Sequence, residues 1–313
     1  MAGPLVIGSR GSKLALWQAE QARENLQLLN PGIEVKIEII KTTGDVKSDP
    51  LSVIGGKGVF TKELEEALLD GRIDIAVHSL KDLPTILPDA LSITAICERE
   101  DPRDALVLRA GTQGSLLDLP EGAVVGTSSQ RRLAQLKALR GDVEVKDLRG
   151  NVDTRIRKLD EGQYDALILA TAGLVRLGLE ERISTRIPFD EMLPAVGQGA
   201  IAIEVQSDNK AAVEATSKLE HGLTRIACVA ERAFLRGLGG GCQLPIAAHA
   251  VLDSDVLTLD GLVAQPDGSE ILRDRVSGPP DLAEAIGADL SAQLISRGAA
   301  TFLWTNHSRD ERS

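Results

Sequence analysis

One stretch of this sequence decides its fold: Val6-Ile7-Gly8-Ser9-Arg10-Gly11-Ser12-Lys13-Leu14-Ala15, which returns with one inserted residue as Val124-Val125-Gly126-Thr127-Ser128-Ser129-Gln130-Arg131-Arg132-Leu133-Ala134. Each copy reads as an apolar strand that ends in a Gly/Ser/Thr turn and opens a helix. The stretch Gly71-Arg72-Ile73-Asp74-Ile75-Ala76 is echoed in the same way by Gly162-Gln163-Tyr164-Asp165-Ala166-Leu167. This repetition predicts two similar α/β halves.

The turn that opens each helix is a candidate anion site. The N–H groups and the dipole at a helix N-terminus favour negative charge. Ordinary N-capping by Ser12, and by Ser128 or Ser129, explains the same residues without any ligand. Both readings stay open at this point.

The remaining segments extend the α/β pattern and add a smaller C-terminal part. In the first half we expect strands at 5–8, 33–39 and 73–77 and a helix at 13–29, with a long polar loop from Thr42 to Gly58. An apolar strand at 200–205 cannot be placed by sequence adjacency. From about residue 219, a helix, three strands and a last helix predict a small α+β domain.

Length and composition restrict the class of protein. A chain of 313 residues is long enough for two or three domains. Its net charge of −11 and its 2% of aromatic residues argue against a nucleic-acid partner, and the charge also argues against an anionic membrane surface. No signal peptide or spanning segment is recognisable, so we expect a cytoplasmic protein. Three cysteines without a CxxC pair and four scattered histidines predict neither a disulfide framework nor a metal site.

One segment departs from the overall acidity. Residues 125–158 hold nine basic and four acidic residues, a net charge of +5. Arg131 and Arg132 fall in the first turn of a helix, where cations are unfavourable against the dipole. A bound polyanion resolves this conflict, because guanidinium groups match carboxylates or phosphates bidentately. Solvated salt bridges explain Arg140, Arg157 and Lys158 equally well.

Further candidates follow predicted strands, where open α/β sheets bind ligands. Arg10, Arg149 and Arg176 come after strands, and Arg155 lies six residues beyond Arg149. The segment His78-Ser79-Leu80-Lys81-Asp82 directly follows the strand at 73–77. A carboxylate in that position can stabilise a developing cation or move a proton.

Cys242 ends the segment Leu238-Gly239-Gly240-Gly241-Cys242. Three consecutive glycines are unfavourable in a helix or strand, which indicates positive φ or a close approach of something bulky. The thiol is therefore either offered to a partner or is a small apolar group in a tight turn. Cys97 and Cys228 lie in apolar segments that are typical of buried structural thiols.

Several motifs, taken in order, resemble the porphobilinogen deaminase (hydroxymethylbilane synthase) family of tetrapyrrole and haem biosynthesis. The matching blocks are Gly8-Ser9-Arg10-Gly11-Ser12, Gly55-Gly56-Lys57-Gly58, His78-Ser79-Leu80-Lys81-Asp82, the residues 97–104, Gly126-Thr127-Ser128-Ser129-Gln130-Arg131-Arg132, Leu148-Arg149-Gly150-Asn151, the residues 193–199 and Gly240-Gly241-Cys242. They run nearly from end to end of the chain.

The resemblance implies a domain arrangement. Two lobes are expected to be like those of type II periplasmic binding proteins, followed by a small C-terminal α+β domain. Domain 1 would comprise residues 1–98 and 198–218, so that the unplaced strand returns to it. Domain 2 would span 103–194, and domain 3 would span 219–313.

The resemblance also implies a chemistry. Cys242 would hold a covalent dipyrromethane cofactor through a thioether, and four porphobilinogen molecules would be joined head to tail with loss of ammonia. Hydrolysis would then release hydroxymethylbilane. The catalytic residue would be Asp82, which would stabilise the cationic azafulvene left when ammonia departs. Cofactor and substrate carboxylates would be bound by Arg10, Ser12, Lys57, Ser79, Lys81, Thr127, Ser128, Ser129, Arg131, Arg132, Arg149, Arg155 and Arg176.

The chain departs from the family pattern at two positions. Many members have Glu where this chain has Gly239, and many have a basic residue where it has Val53. The second change bears on the loop around Lys57 that is thought to cover the cleft. The family leads us to expect a monomer. The alternative from another class is a non-catalytic two-lobed binding protein for a small organic polyanion, which has no need of Cys242.

Overall fold

The computed structural model describes residues 3–42, 61–240 and 244–304. The strands are β1 (Leu5–Ser9), β2 (Val35–Ile39), β3 (Ile75–Ser79), β4 (Leu91–Ile96), β5 (Asp104–Leu108), β6 (Val124–Gly126), β7 (Glu144–Lys146), β8 (Ala166–Ala170), β9 (Thr185–Arg186), β10 (Ile201–Gln206), β11 (Ile246–Asp253), β12 (Val256–Ala264) and β13 (Ile271–Gly278). The α-helices are α1 (Lys13–Leu29), α2 (Lys62–Leu69), α3 (Gln130–Leu139), α4 (Val152–Asp160), α5 (Thr171–Arg176), α6 (Lys210–Ser217), α7 (Gly222–Gly237), α8 (Ala283–Ser296) and α9 (Ala299–Trp304).

The first sheet has the order β2-β1-β3-β10-β4. Strand β1 runs parallel to β2 and β3, whereas β10 runs antiparallel to both β3 and β4. The strand that sequence adjacency could not place is therefore β10, and it lies inside this sheet. Its residues are buried from Ile201 to Val205, which explains its continuous apolar pattern.

The second sheet repeats this topology with the order β7-β6-β8-β5-β9. Strand β6 runs parallel to β7 and β8, and β5 runs antiparallel to β8 and β9. Each strand of the first sheet thus has a counterpart in the second: β1 matches β6, β3 matches β8, and β10 matches β5. The prediction of two similar α/β halves is confirmed.

The repeated sequence segments do the same work in both halves. A Cβ atom at Gly8 would collide with Ile73, and one at Gly126 would lie 2.6 Å from Leu167, so both strands carry a glycine near the end for lack of space. Asp74 accepts a hydrogen bond from the Val6 N–H at 2.8 Å, and Asp165 accepts one from the Val124 N–H at 2.8 Å. These two hydrogen bonds attach Asp74 to β1 and Asp165 to β6.

The C-terminal part forms an antiparallel sheet of three strands in the order β11-β12-β13. Helices α7 and α8 contribute Phe234 and Leu290 to a core shared with Leu259 of β12. All three side chains are fully buried. This is the α+β arrangement that the sequence predicts.

Two compact units contain these elements. The first unit comprises Met1–Glu100 and Gly199–Arg225, and the second comprises Asp101–Gln198 and Ile226–Ser313. The three-domain boundaries proposed above remain a prediction. Within the described part of the chain, no helix combines the length and the apolar character needed to cross a membrane.

Local differences from the predicted elements have simple causes. Strand β2 begins at Val35 and not at residue 33, because the Ile33 N–H closes a turn onto the Asn30 carbonyl at 3.1 Å and Gly32 has a φ of 87°. The predicted loop from Thr42 to Gly58 lies almost wholly outside the described residues.

Candidate functional site

A cavity of about 80 Å³ lies at the carboxyl end of β3 in the first unit. The residues that line it are Arg10, Ser12, Leu14, Ala15, Gln18, Thr61, Leu64, Val77, His78, Ser79 and Asp82. Four predicted site residues therefore share one cavity: Arg10, Ser12, Ser79 and Asp82. Lys81 lies in the same short turn and is half-buried, but it does not line the cavity.

Hydrogen bonds fix two of the polar groups of this cavity. Ser12 is the N-cap of α1, and its Oγ accepts a hydrogen bond from the Ala15 N–H at 3.3 Å. Gln18, one turn further along α1, donates from Nε2 to Ser79 Oγ at 2.9 Å. The capping role that the sequence left open for Ser12 is thus present. Gln18 was missed because a lone glutamine inside a helix carries no signal of its own.

A buried contact between His78 and Glu204 lies beside the cavity, and His78 lines the cavity itself. His78 of β3 lies opposite Ala202 of β10, and Glu204 lies opposite Ala76, so all four side chains point to one face of the sheet. His78 Nε2 is 2.9 Å from Glu204 Oε2, and the two side chains are only 4% and 0% exposed. The two alanines leave the room that the larger side chains fill.

A second carboxyl group lies close to this pair. Glu65 Oε1 and Glu204 Oε1 are buried without a hydrogen-bond partner among the described residues. Burial raises the pKa of the Glu65 carboxyl, and the nearby negative charge of Glu204 raises it further. Glu65 and Glu204 are therefore near each other and near His78.

In the second unit, two arginines bind one buried carboxylate, that of Asp104 at the start of β5. Asp104 Oδ2 accepts from Arg131 Nη1 at 2.6 Å, and Oδ1 accepts from Arg132 Nη2 at 2.7 Å. Gln198 Nε2 also donates to Oδ1 at 2.8 Å. Asp104 is 0% exposed, and the two arginines are 5% and 7% exposed.

The carboxylate of Asp104 is therefore fully engaged. Burial alone would raise the pKa of Asp104, but the charges of Arg131 and Arg132 outweigh it and hold the pKa of that carboxyl well below its usual range. Each arginine also donates to a main-chain carbonyl, Arg131 to Leu193 at 2.7 Å and Arg132 to Ile168 at 2.8 Å. The conflict between these cations and the helix dipole is thus met inside the protein by Asp104. The sequence analysis missed this residue because its charge count covered only residues 125–158.

Arg149 and Arg155 complete a cationic group beside Arg132. Arg149 pairs with Asp147 at 3.1 Å. Arg155 donates from Nε to the Gly150 carbonyl at 2.6 Å, and no carboxylate of the described residues lies within ion-pair distance of it. Burial lowers the pKa of Arg155 to about 10, with the charges of Arg132 and Arg149 acting in the same direction. Within the described part of the chain, Arg132 is paired with Asp104 and Arg149 with Asp147, whereas Arg155 has no carboxylate at ion-pair distance.

The serine and threonine residues of the second turn are engaged with the backbone. Ser129 is the N-cap of α3, and Thr127 Oγ1 accepts from the Ser129 N–H at 3.2 Å. Ser128 Oγ donates to the Leu148 carbonyl at 2.6 Å, which joins the turn to the end of the strand segment that precedes Arg149. Arg176 is buried in the last turn of α5.

Two predicted site residues, Lys57 and Cys242, lie outside the described residues. Of the other thiols, Cys228 is buried, as its apolar surroundings predict, and Cys97 is half-buried. In the described part of the chain, no group of three or more His, Cys, Asp or Glu side chains is arranged to hold a metal ion.

Comparison with known protein families identifies the family of this chain. The family model described as "Porphobilinogen deaminase, dipyromethane cofactor binding domain" matches residues 5–214, and that described as "Porphobilinogen deaminase, C-terminal domain" matches residues 225–296. The chain belongs to the porphobilinogen deaminase family. A relative from Chromobacterium violaceum named "Porphobilinogen deaminase" is 52% identical over 296 residues, which cover 94% of this chain and 95% of the relative.

The porphobilinogen deaminase match covers the cavity and the cationic group together, because residues 5–214 include every described site residue. Among solved structures, an ancestral arginine-binding protein bound to arginine aligns with 70% of this chain and 91% of its own, with 17% identity and a TM-score of 0.39. The VFT2 domain of BvgS from Bordetella pertussis aligns with 74% of this chain and 91% of its own, with 14% identity and a TM-score of 0.42.

Proposed function

We propose that this protein is a porphobilinogen deaminase: a transferase that joins four porphobilinogen molecules head to tail, releases ammonia at each step and hydrolyses off hydroxymethylbilane. Family membership supports the reaction. Among this chain's own residues, the cationic group of Arg132, Arg149 and Arg155 supports this reaction. The pyrroles of the substrate bear acetate and propionate groups, which such a group can bind. A growing chain of such units is a polyanion.

The dipyrromethane cofactor of the family fits these residues. The lowered pKa of Arg155 reflects burial beside two other guanidinium groups, and bound carboxylates would relieve that repulsion. We infer that Arg132, Arg149 and Arg155 hold cofactor carboxylates, with Thr127, Ser128, Ser129, Arg131 and Arg176 as further contacts. When bound, the cofactor supplies the primer to which the pyrroles are added.

We further propose that the cofactor is attached through the Cys242 thiol. Cys242 follows three consecutive glycines, a sequence setting that neither Cys97 nor Cys228 shares. Lys57 is proposed to contact ligand from the loop before α2.

Asp82 is the proposed catalytic residue. It lines the same cavity as Arg10, Ser12 and Ser79, so a substrate whose carboxylates engage Arg10 and the serines would bring its aminomethyl carbon to this wall. The carboxylate then stabilises the cation that forms on the substrate when ammonia leaves, and it accepts the proton released when the new carbon–carbon bond forms. Lys81 beside it is proposed to bind a substrate carboxylate.

A cytoplasmic monomer with the three domains outlined from the sequence completes the proposal. Three cysteines without a paired motif are typical of proteins from a reducing compartment.

Intact-mass measurement of the purified protein tests the covalent cofactor. We expect the wild type to exceed its sequence mass by one dipyrromethane and Cys242→Ser to match its sequence mass. Cys97→Ser is the matched control and should keep the adduct. An active wild type at the unmodified mass would rule out the thioether.

Assays of the Asp82→Asn variant test the catalytic role. This variant should keep the mass adduct and lose turnover by about 100-fold or more, whereas Asp89→Asn, an exposed position in the same loop region, should behave as wild type. If the wild type binds porphobilinogen without releasing ammonia, the non-catalytic binding protein replaces this proposal.

A further inference from the structure

Keeping the His78–Glu204 pair buried is unfavourable for the stability of the fold. Both side chains are buried, and Glu204 Oε1 has no hydrogen-bond partner among the described residues. A buried carboxylate with an unpartnered oxygen costs stability, and buried ion pairs can often be replaced by apolar side chains without loss. Stability therefore gives no reason for these two residues.

The equivalent strands of the second unit show that this fold does not require the His78–Glu204 pair. The registers of the two sheets match Ala76 with Leu167, through their common pairing to Gly8 and Gly126. By the same registers, His78 corresponds to Leu169 and Glu204 to Val107. Val107 and Leu169 pack in an apolar core. The same pair of strands thus folds with aliphatic residues at both positions.

The location of the pair indicates what it does instead. His78 lines the cavity that also holds Asp82. Its Nε2 is 2.9 Å from Glu204 Oε2, so Nδ1 is the ring nitrogen that this contact does not use. The cavity is lined in part by polar side chains and is large enough for water, so water can connect Asp82 with the imidazole.

The proposed reaction needs such a group, and the following inference rests on that proposed function. In each condensation the pyrrole carbon that forms the new bond loses its proton, and the electron pair of the C–H bond returns to the ring. Asp82 accepts this proton and must lose it before the next condensation. Ammonia, set free in the same turnover, is the final acceptor and leaves as ammonium.

We propose that His78, held by Glu204, is the group that takes the proton from Asp82 and passes it to the departing ammonia. Glu204 is a positioning residue: its carboxylate fixes the imidazole tautomer and stabilises the imidazolium while the proton resides there. No proton is gained or lost overall, since the one taken from the pyrrole carbon leaves on ammonium.

Other charged groups face this pair from the elements around it. Glu65 of α2 is near both Glu204 and His78, and Arg10 and Asp82 lie across the cavity. Glu66 lies on the same helix as Glu65 but is exposed, and it pairs with Lys62 at 3.8 Å. It therefore provides a control on the same helix.

The first experiment replaces Glu204 by Gln, which keeps the size and the hydrogen-bonding capacity and removes the charge. We expect kcat to fall by about tenfold or more, with the KM for porphobilinogen within about twofold of wild type. Glu66→Gln should leave both quantities unchanged.

The second experiment gives the first sheet the aliphatic residues that the second sheet has at the same positions. The double variant His78→Leu and Glu204→Val reproduces Leu169 and Val107, so it should fold, keep the cofactor mass and retain its thermal stability, while losing at least about tenfold in kcat.

Two results would overturn the inference. One is a double variant with wild-type turnover, and the other is a Glu204→Gln enzyme whose kcat matches the wild type. A wild type that releases no ammonia defeats the proposed function instead.

Discussion

The two halves share one topology, yet each carries charge where the other carries aliphatic side chains. Asp104 at the start of β5 corresponds by register to Ile201 at the start of β10. Counted from the capping serines, Arg131 and Arg132 occupy the positions of Leu14 and Ala15 in α1. In the reverse direction, His78 and Glu204 correspond to Leu169 and Val107. The topology therefore requires none of these charges, and each half has its own set of them.

The largest effect is expected from Asp104, which balances two buried guanidinium groups. Asp104→Ala should lower the free energy of unfolding by about 3–5 kcal/mol, because it leaves Arg131 and Arg132 buried without a counter-ion. Urea unfolding measures this loss. Glu161→Ala, which breaks the exposed pair with Arg157, should change stability little.

A triple variant sharpens the same comparison. Asp104→Ile combined with Arg131→Leu and Arg132→Ala copies Ile201, Leu14 and Ala15 and removes the whole buried charge cluster. It should be more stable than Asp104→Ala alone, although carbonyls such as that of Leu193 lose their donors. A triple variant that is no more stable than the single one would contradict the correspondence of the two sheets.

A smaller effect on stability, with a clear effect on binding, is expected at Arg155. Because Arg155 has no carboxylate within ion-pair distance among the described residues and is repelled by Arg132 and Arg149, Arg155→Gln should keep the unfolding free energy within about 0.5 kcal/mol of wild type. Affinity for the substrate should fall by about tenfold, the value of one charge-assisted hydrogen bond. Calorimetric titration measures the affinity for the substrate, and urea unfolding of the same preparation measures the free energy of unfolding. A large loss of stability would show that Arg155, like Arg132, is tied to the protein.

The smallest effect concerns pH and Glu65. A carboxyl with a raised folded-state pKa contributes stability that is fully present at low pH and is lost as the pH rises through the folded pKa. Glu65→Gln removes that loss, so the variant should gain thermal stability relative to wild type between pH 5 and pH 8. Asp104 behaves oppositely: its pKa is lowered, so its contribution stays constant over this window and disappears only in strong acid. Melting temperatures across the pH range test both signs.

Local sequence patterns predicted much of the fold. Helix α1 has the bounds that periodicity and the capping Ser12 indicate, and the repeated segments identified the two similar sheets. The insertion of β10 between β3 and β4 could not be derived from periodicity, because its partners lie more than a hundred residues away in the sequence.

Prediction of the site had a similar limit. The arginines were recognised from their local excess of charge, and Asp82 from its position after a strand. The partner of Arg131 and Arg132 was missed, since Asp104 is distant along the chain from the segment over which charge was counted. Glu204 was missed for a related reason: inside an apolar strand, one acidic residue reads as the exposed face, and only the pairing with β3 brings it against His78.

The position of β10 also sets an order of events during synthesis. All strands of the second sheet lie between Asp104 and Arg186, so that sheet can assemble before residues 187–206 have emerged from the ribosome. The first sheet must wait, with β3 and β4 lacking the strand that separates them, until residue 206 has emerged. The contact between His78 and Glu204 is consequently one of the last to form, and a nascent chain stalled before β10 would have its cationic group in place while the wall beside Asp82 was still incomplete.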